Sequence, residues 1–176
     1  MSIEPVHARF PKVPIERRAA AFAIDFLGVW LTSSLVVGLW FKGLVFIVLW
    51  LVLRVFVVSS NQGQSLGRWA LDMKVLDAKY AKIPSLSALA KREGMLGGLA
   101  LLAMIGLTIG LTNPISLLLL IAPLAGDCGL ALSDPEAQQA FHDRVATTLV
   151  IQTRRGFSLD IRLKRLFAQV RRNMPK

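Results

Sequence analysis

The sequence has very few of the residues that build disulfide frameworks and metal sites. It contains one cysteine, Cys128, and two histidines, His7 and His142, among 176 residues. One cysteine excludes a disulfide framework within the chain, and two histidines so far apart give no zinc-binding pattern. We therefore expect no metal and no cofactor, and a secreted mini-protein is excluded.

Charge is also scarce, and it is mostly of one sign. Asp, Glu, Lys and Arg make up 18% of the chain, compared with about 25% in a typical soluble domain. The formal net charge is nevertheless +10, and 54% of the residues are hydrophobic. A mixed soluble surface cannot satisfy both values, so the apolar residues must be segregated from the basic ones, as they are in a membrane protein.

Long apolar runs predict four membrane spans. The first run, residues 22–41, contains a single charge, Asp25, and is about 30 Å long as a helix, the thickness of a bilayer core. Residues 94–126 carry no formal charge and are interrupted by Pro114, which disfavours helix immediately before it. The sequence thus predicts an all-α four-helix membrane bundle of two hairpins, with spans at residues 22–41, 44–58, 95–111 and 115–132.

Basic residues predict the orientation of these spans. With four spans, 19 of the 21 lysines and arginines lie on one side, and the outer turns carry only Lys42. Because basic residues are retained on the cytoplasmic side of membranes, both termini are expected to be cytoplasmic. The membrane would be a bacterial inner membrane or a photosynthetic internal membrane.

The predicted cytoplasmic side consists of an N-terminal tail (1–21), a loop (59–94) and a C-terminal region (133–176). Residues 73–77 and 147–152 are β-branched and alternating, so we expect them to pair as a small β element. A basic amphipathic helix is predicted over residues 158–172 and would lie on anionic lipid headgroups. Its basic residues are Arg162, Lys164, Arg165, Arg171 and Arg172. No aromatic platform accompanies this charge, so no nucleic-acid partner is expected.

Ionisable residues in or near the predicted spans are the candidate functional residues. Asp25, Arg54 and Asp127 come from three helices and are expected in one layer of the inner leaflet, and Arg18 lies two helical turns before Asp25. An unpaired charge there costs at least about 2.5–3.5 kcal/mol, so pairing is expected. Two interpretations remain open: a proton or cation relay, or a structural ion pair of Asp25 with Arg18 or Arg54. A nearby arginine holds a carboxylate ionised, which makes Asp127 the better relay candidate.

Glycines recur in the third predicted span at Gly94, Gly98, Gly106 and Gly110. Their spacing gives two small-xxx-small pairs on one face, which lets helices approach closely. This face would pack either within the bundle or against a second copy or another membrane subunit.

Four short motifs follow one another between about residues 15 and 151. The first places Arg18 before an alanine-rich stretch and Asp25 within the first span. The other motif residues are Gly63 and Gly67, then Arg92 and Glu93, and finally His142, Asp143 and Arg144. Together the motifs resemble those of the RDD family of small integral membrane proteins, named after one arginine and two aspartates, which map here onto Arg18, Asp25 and Asp143. Arg54 and the basic tail after Thr153 depart from that pattern.

The resemblance implies a presumed transport role, for a cation or proton or for a small solute. Alternating-access transporters usually move one repeat against another around a site at the midplane of the membrane. Four short helices with charges near the inner face are poorly suited to this on their own, so the transport hypothesis also implies a homo-oligomer. The alternative is a non-catalytic accessory or assembly subunit of a larger membrane complex. No serine or cysteine lies in a nucleophile motif, so we do not expect an enzyme.

Overall fold

The structure, a computed structural model, describes residues 10–11, 13–110, 113–133, 138–153, 158, 159 and 169. The helices are α1 (Ile15–Ser33), α2 (Leu39–Ser60), α3 (Leu66–Ala70), α4 (Leu86–Gly110), α5 (Pro114–Gly129) and α6 (Phe141–Val145). The strands are β1 (Met73–Asp77) and β2 (Thr148–Gln152). The five basic residues of the predicted C-terminal helix, Arg162, Lys164, Arg165, Arg171 and Arg172, lie outside the described residues.

The four long helices form two hairpins. Phe22 of α1 contacts Trp50 of α2, and Phe26 contacts Phe46, with ring centroids 5.7 and 5.8 Å apart. Residue numbers therefore rise along α1 as they fall along α2, which makes the pair antiparallel. α2 and residues Leu86–Ile109 of α4 are long and apolar enough to cross a bilayer, whereas the apolar α5 is shorter, with 16 residues.

The first reversal of the chain lies earlier than the sequence predicted. α1 ends at Ser33 and α2 begins at Leu39, so the predicted spans 22–41 and 44–58 are wrong in their bounds. Gly38, with a φ of +91°, enters the second helix from a conformation that favours glycine, whereas Lys42 and Gly43 are helical. Residues 34–38 carry no charge, and hydropathy therefore does not separate this turn from the helices around it.

The second hairpin reverses where the sequence predicted, between Gly110 and Pro114, but the predicted spans 95–111 and 115–132 differ from the helices at their outer ends. α4 begins at Leu86, where the Ser85 hydroxyl accepts a hydrogen bond from the Ala88 N–H (3.2 Å). Arg92 and Glu93, which were expected to lie in the loop 59–94, are therefore helical. The Asn113 side chain caps α5, which ends at Gly129.

The two short strands pair as the sequence predicted. β1 and β2 are antiparallel, with Met73 opposite Gln152 and Asp77 opposite Thr148. Val75 and Val150 pack from this sheet against Ala21 of α1. The sheet is thereby attached to the N-terminal half of the first helix.

Glycine allows α4 to approach its neighbours at two points. A Cβ added at Gly97 would lie 2.7 Å from Cδ1 of Trp50, and one at Gly106 would lie 3.0 Å from Cβ of Leu120. Trp50 is buried, stacked on Phe46, and donates its indole N–H to the Glu93 carbonyl (3.2 Å). The ring at Gly97 therefore has little freedom to move.

The predicted glycine face is only partly a packing face. Gly106 contacts α5, but a Cβ at Gly94 or Gly98 would meet nothing within 4 Å, and Gly110 is the last residue of α4. Gly97, which lies off the predicted face, makes the closest approach because α2 packs on that side. The expectation of one continuous face from Gly94 to Gly110 is therefore wrong for the single chain.

Adjacent glycines on α4 provide a matched test of this packing. Gly97→Ala should destabilise the protein by about 1–3 kcal/mol, because the new methyl group overpacks against the buried Trp50 ring. Gly98→Ala should be neutral or slightly stabilising, because it gains helix propensity in open space. Thermal unfolding of both variants in detergent measures the difference, and equal midpoints would contradict the packing described here.

Candidate functional site: a buried ion-pair network and its cavity

Seven charged side chains from five helices form a continuous buried network. We call them the ion-pair network: Arg18, Asp25, Arg54, Arg68, Arg92, Glu93 and Asp143. Each carboxylate accepts hydrogen bonds from at least one arginine, and two of the arginines bridge carboxylates. Buried charges are tolerated only when they are paired and hydrogen-bonded in this way.

Asp25 is held by three donors from different parts of the chain. Its carboxylate accepts hydrogen bonds from Arg54 Nη1 (2.8 Å), Ser65 Oγ (2.6 Å) and the Gly67 N–H (2.8 Å). The side chain is buried, with 1% of the residue exposed. One of the three donors, the Arg54 guanidinium, carries the opposite charge, so the buried carboxylate is both hydrogen-bonded and paired.

The loop glycines allow this contact to form. A Cβ at Gly67 would lie 2.0 Å from the Ala21 carbonyl oxygen, and one at Gly63 would lie 2.4 Å from the Val75 carbonyl oxygen. Gly63 also has a φ of +86°. These two residues therefore bring the backbone of α3 directly against α1 and the loop against β1, which explains the glycines of the second motif.

Arg54 lies on a π-helical turn, Val52–Phe56, within α2. Its Nε donates to Glu93 (2.7 Å) while Nη1 donates to Asp25. The guanidinium also lies over the Trp50 ring, 4.8 Å from the centroid, in a cation–π contact. Such widened turns recur at functional positions of helices.

Glu93 contacts three arginines. It accepts hydrogen bonds from Arg54 Nε, from Arg68 Nη2 (2.9 Å) and from Arg92 Nη1 (2.5 Å). The residue is completely buried. One carboxylate thus links α2, α3 and α4.

Asp143 closes the network at the C-terminal end. It accepts hydrogen bonds from Arg92 Nε (2.8 Å) and from Arg18 Nη2. Burial alone would raise the pKa of Asp143, but Arg92 and Arg18 hold that pKa well below its usual range. The carboxylate is therefore ionised at neutral pH and joins α6 to α1 and α4.

Asp127 pairs with a histidine and not with an arginine. Its carboxylate accepts hydrogen bonds from the His142 backbone N–H (3.0 Å) and lies 2.5 Å from Nδ1 of the same residue. Nε2 of His142 faces Arg92 Nη2 at 3.3 Å. Because a guanidinium can only donate, Nε2 is the acceptor in the contact with Arg92, and Nδ1 is the donor to Asp127.

The structure separates two residues that the sequence placed together. Arg18 and Asp25 share a face of α1, yet Arg18 bonds to Asp143 and Asp25 bonds to Arg54. Of the two pairings left open for Asp25, the one with Arg54 is correct. Arg144 is exposed, and its Nε donates to the Gln139 carbonyl (3.3 Å), away from the network.

Sequence reasoning missed Arg68 and Ser65 as members of the site. Both lie inside the loop motif that contains Gly63 and Gly67, and their position beside those glycines was the available signal. Ser65 caps α3 by accepting from the Arg68 N–H (3.4 Å) and also donates to Asp25.

A cavity of about 230 Å³ lies beside the network, between α1 and α5. The basic side chains in its wall are Arg18, Arg54, Arg68, Arg92 and His142. No Asp or Glu is among the described residues that line it. Burial, together with Arg54 and Arg92, lowers the pKa of Arg68 to about 9, so this guanidinium stays charged at neutral pH.

Comparison with known proteins supports one family. The model of the RDD family matches residues 12–147, which include every member of the ion-pair network. No curated protein and no solved structure matches the chain.

The ion-pair assignment of Asp25 can be tested by a double-mutant cycle. Asp25→Asn should destabilise the protein by about 3 kcal/mol. The positive charge of Arg54 would lose one of its two carboxylate partners, and the NH₂ group of the new amide could not accept the hydrogen bonds that the carboxylate accepts. Adding Arg54→Leu should recover part of the loss, since Glu93 keeps Arg68 and Arg92. Thermal unfolding in detergent measures each variant.

Arg18→Leu is the matched control for that cycle. Because Arg18 bonds to Asp143 and not to Asp25, its removal should not rescue Asp25→Asn, and the coupling energy between these two positions should be smaller than that between Asp25 and Arg54. A parent-like stability of Asp25→Asn, or rescue by Arg18→Leu, would overturn the assignment.

Proposed function

The chain belongs to the RDD family, and on that premise we propose that it is a multi-pass transporter that carries a small solute through the cavity between α1 and α5. The family and the two membrane-capable helices make it a membrane protein. The observation that carries the finer proposal is the cavity, because it lies against the ion-pair network inside the helical bundle.

The outer surface of the bundle suits a bilayer. Leu44, Val48, Val52 and Phe56 are all exposed and recur every fourth residue along α2. Water solvates such an apolar stripe poorly, whereas the hydrocarbon chains of lipids solvate it well. Trp40, which is 92% exposed beside the first turn, is suited to the membrane interface.

The charges of the cavity wall favour one branch of the transport hypothesis. Guanidinium groups raise the energy of a cation in a cavity of low polarity, whereas they attract an anion or a polar solute. The carboxylates of the network bind these arginines but are not among the described residues that line the cavity. A small solute is therefore a better cargo than sodium or another cation.

The remaining parts of the proposal concern topology and assembly. We place four crossing helices in a bacterial inner membrane or a photosynthetic internal membrane, with both termini cytoplasmic, because 19 of 21 basic residues then share one side. We expect a homo-oligomer and no catalytic activity. The open face at Gly94 and Gly98 leaves room for a second helix.

Topology can be tested with single reporter cysteines after replacement of the native Cys128 by serine. Cysteines at Val37 and Asn113 should react with an impermeant reagent from the outside, and a cysteine at Lys176 should react only from the cytoplasmic side. A C-terminus on the opposite side from the N-terminus would refute four spans.

Transport can be tested in proteoliposomes that contain a pH-sensitive dye. We expect saturable uptake of weak organic acids and no proton movement driven by a sodium pulse. Sodium-driven proton movement would refute the solute proposal. Absence of any flux, combined with stoichiometric co-purification of other membrane subunits, would favour the accessory-subunit alternative.

A further inference from the structure

We propose that the cavity between α1 and α5 binds an amphipathic oxyanion, that is, a phosphate or carboxylate head group attached to a hydrocarbon chain. This inference deepens the proposed function by naming the class of ligand. That the ligand is transported rests on the proposed function, whereas its binding is argued from the cavity alone.

The head-group site is indicated by a hydrogen-bond donor that lacks an acceptor. Arg68 is 3% exposed, and its Nη2 donates to Glu93, but its Nη1 has no hydrogen-bond partner in the described part of the chain. A buried charged donor without an acceptor is costly. Arg68 is one of the residues that line the cavity, so a small rotation of its guanidinium would present Nη1 to an oxyanion bound there.

The neighbouring charges favour an anion at the same place. Arg68 has to share the Glu93 carboxylate with Arg54 and Arg92. Burial, and after it the charges of Arg54 and Arg92, lower the pKa of Arg68, and Glu93 offsets this only in part. Phosphate and carboxylate oxygens match the planar fork of donors that arginine presents.

The rest of the cavity is suited to a hydrocarbon chain. Its wall includes Ala19 and Phe22 of α1, Leu96 of α4, and Ile121, Leu124 and Ala125 of α5. The volume of about 230 Å³ is below the usual range of about 300–1,000 Å³ for ligand pockets. The enclosed part of the ligand is therefore a head group and a short length of chain.

Two ligands of equal chain length separate charge from hydrophobicity. The full-length protein is placed in phosphatidylcholine nanodiscs and titrated with hexyl phosphate or hexyltrimethylammonium, and binding is followed by the thermal unfolding midpoint. Hexyl phosphate should raise the midpoint, and the cation should not. Inorganic phosphate alone should bind at least about tenfold more weakly, because it cannot fill the apolar wall. Equal effects of the two alkyl ligands would overturn the proposal.

Two pairs of variants locate the binding site. Ala125→Trp fills the cavity without removing a member of the ion-pair network, and Ala122→Trp is its control, because Ala122 is exposed on the same helix but outside the lining. Arg68→Gln removes the unsatisfied donor, and Arg144→Gln is the control at an exposed arginine outside the lining. Ala125→Trp and Arg68→Gln should each weaken hexyl phosphate binding by about tenfold or more, and the controls by less than about twofold.

Each outcome of these measurements decides the proposal. Unchanged binding in Ala125→Trp overturns it even if Arg68→Gln fails to fold, because Ala125 lies outside the ion-pair network. Retention of phosphatidylglycerol in native mass spectrometry, with displacement by hexyl phosphate, supports it and identifies a lipid source. Binding of hexyl phosphate without phosphatidylglycerol supports it and identifies a free solute. Binding without flux refutes transport alone, whereas flux without this binding refutes the ligand class alone.

Discussion

The contact of Glu93 with three arginines is the interaction on which the arrangement of the helices depends. Arg54, Arg68 and Arg92 come from three different helices, and each donates to this one buried carboxylate. Because an isolated buried charge is prohibitively unfavourable, none of these arginines can leave its partner without moving the helix that carries it. The network thus connects the helices at the end of the bundle that meets the small sheet, and the cavity lies beside the network.

Sequence patterns were informative where residue type left few possible partners. The alternating segments around Val75 and Val150 pair as expected, and Asp25 is bound by one of the two arginines proposed for it. The turn at Gly38 was missed because its neighbours are as apolar as the helices. The roles of Glu93 and Asp143 were also missed, because their partners are fixed by packing across long sequence separations and no local pattern encodes that.

The two carboxylates Asp25 and Asp127 have different kinds of partner. Asp25 accepts from a guanidinium, a hydroxyl and a backbone N–H. These three contacts hold its carboxylate in place between α1, α2 and α3. Asp127 contacts the imidazole of His142, which also lines the cavity. The cavity wall is thus connected to both carboxylates, through Arg54 to Asp25 and through His142 to Asp127.

The order in which the network's members occur along the chain has a consequence for biosynthesis. Asp25 precedes Arg54 by 29 residues, so the first hairpin can enter the membrane as a neutral pair while the rest is still being made. Arg92 and Glu93 then arrive together as a second self-compensating pair. Asp143, which binds Arg18 across 125 residues, emerges last. The earliest member of the network, Arg18, therefore gains its partner last, and the network is complete only near the end of synthesis.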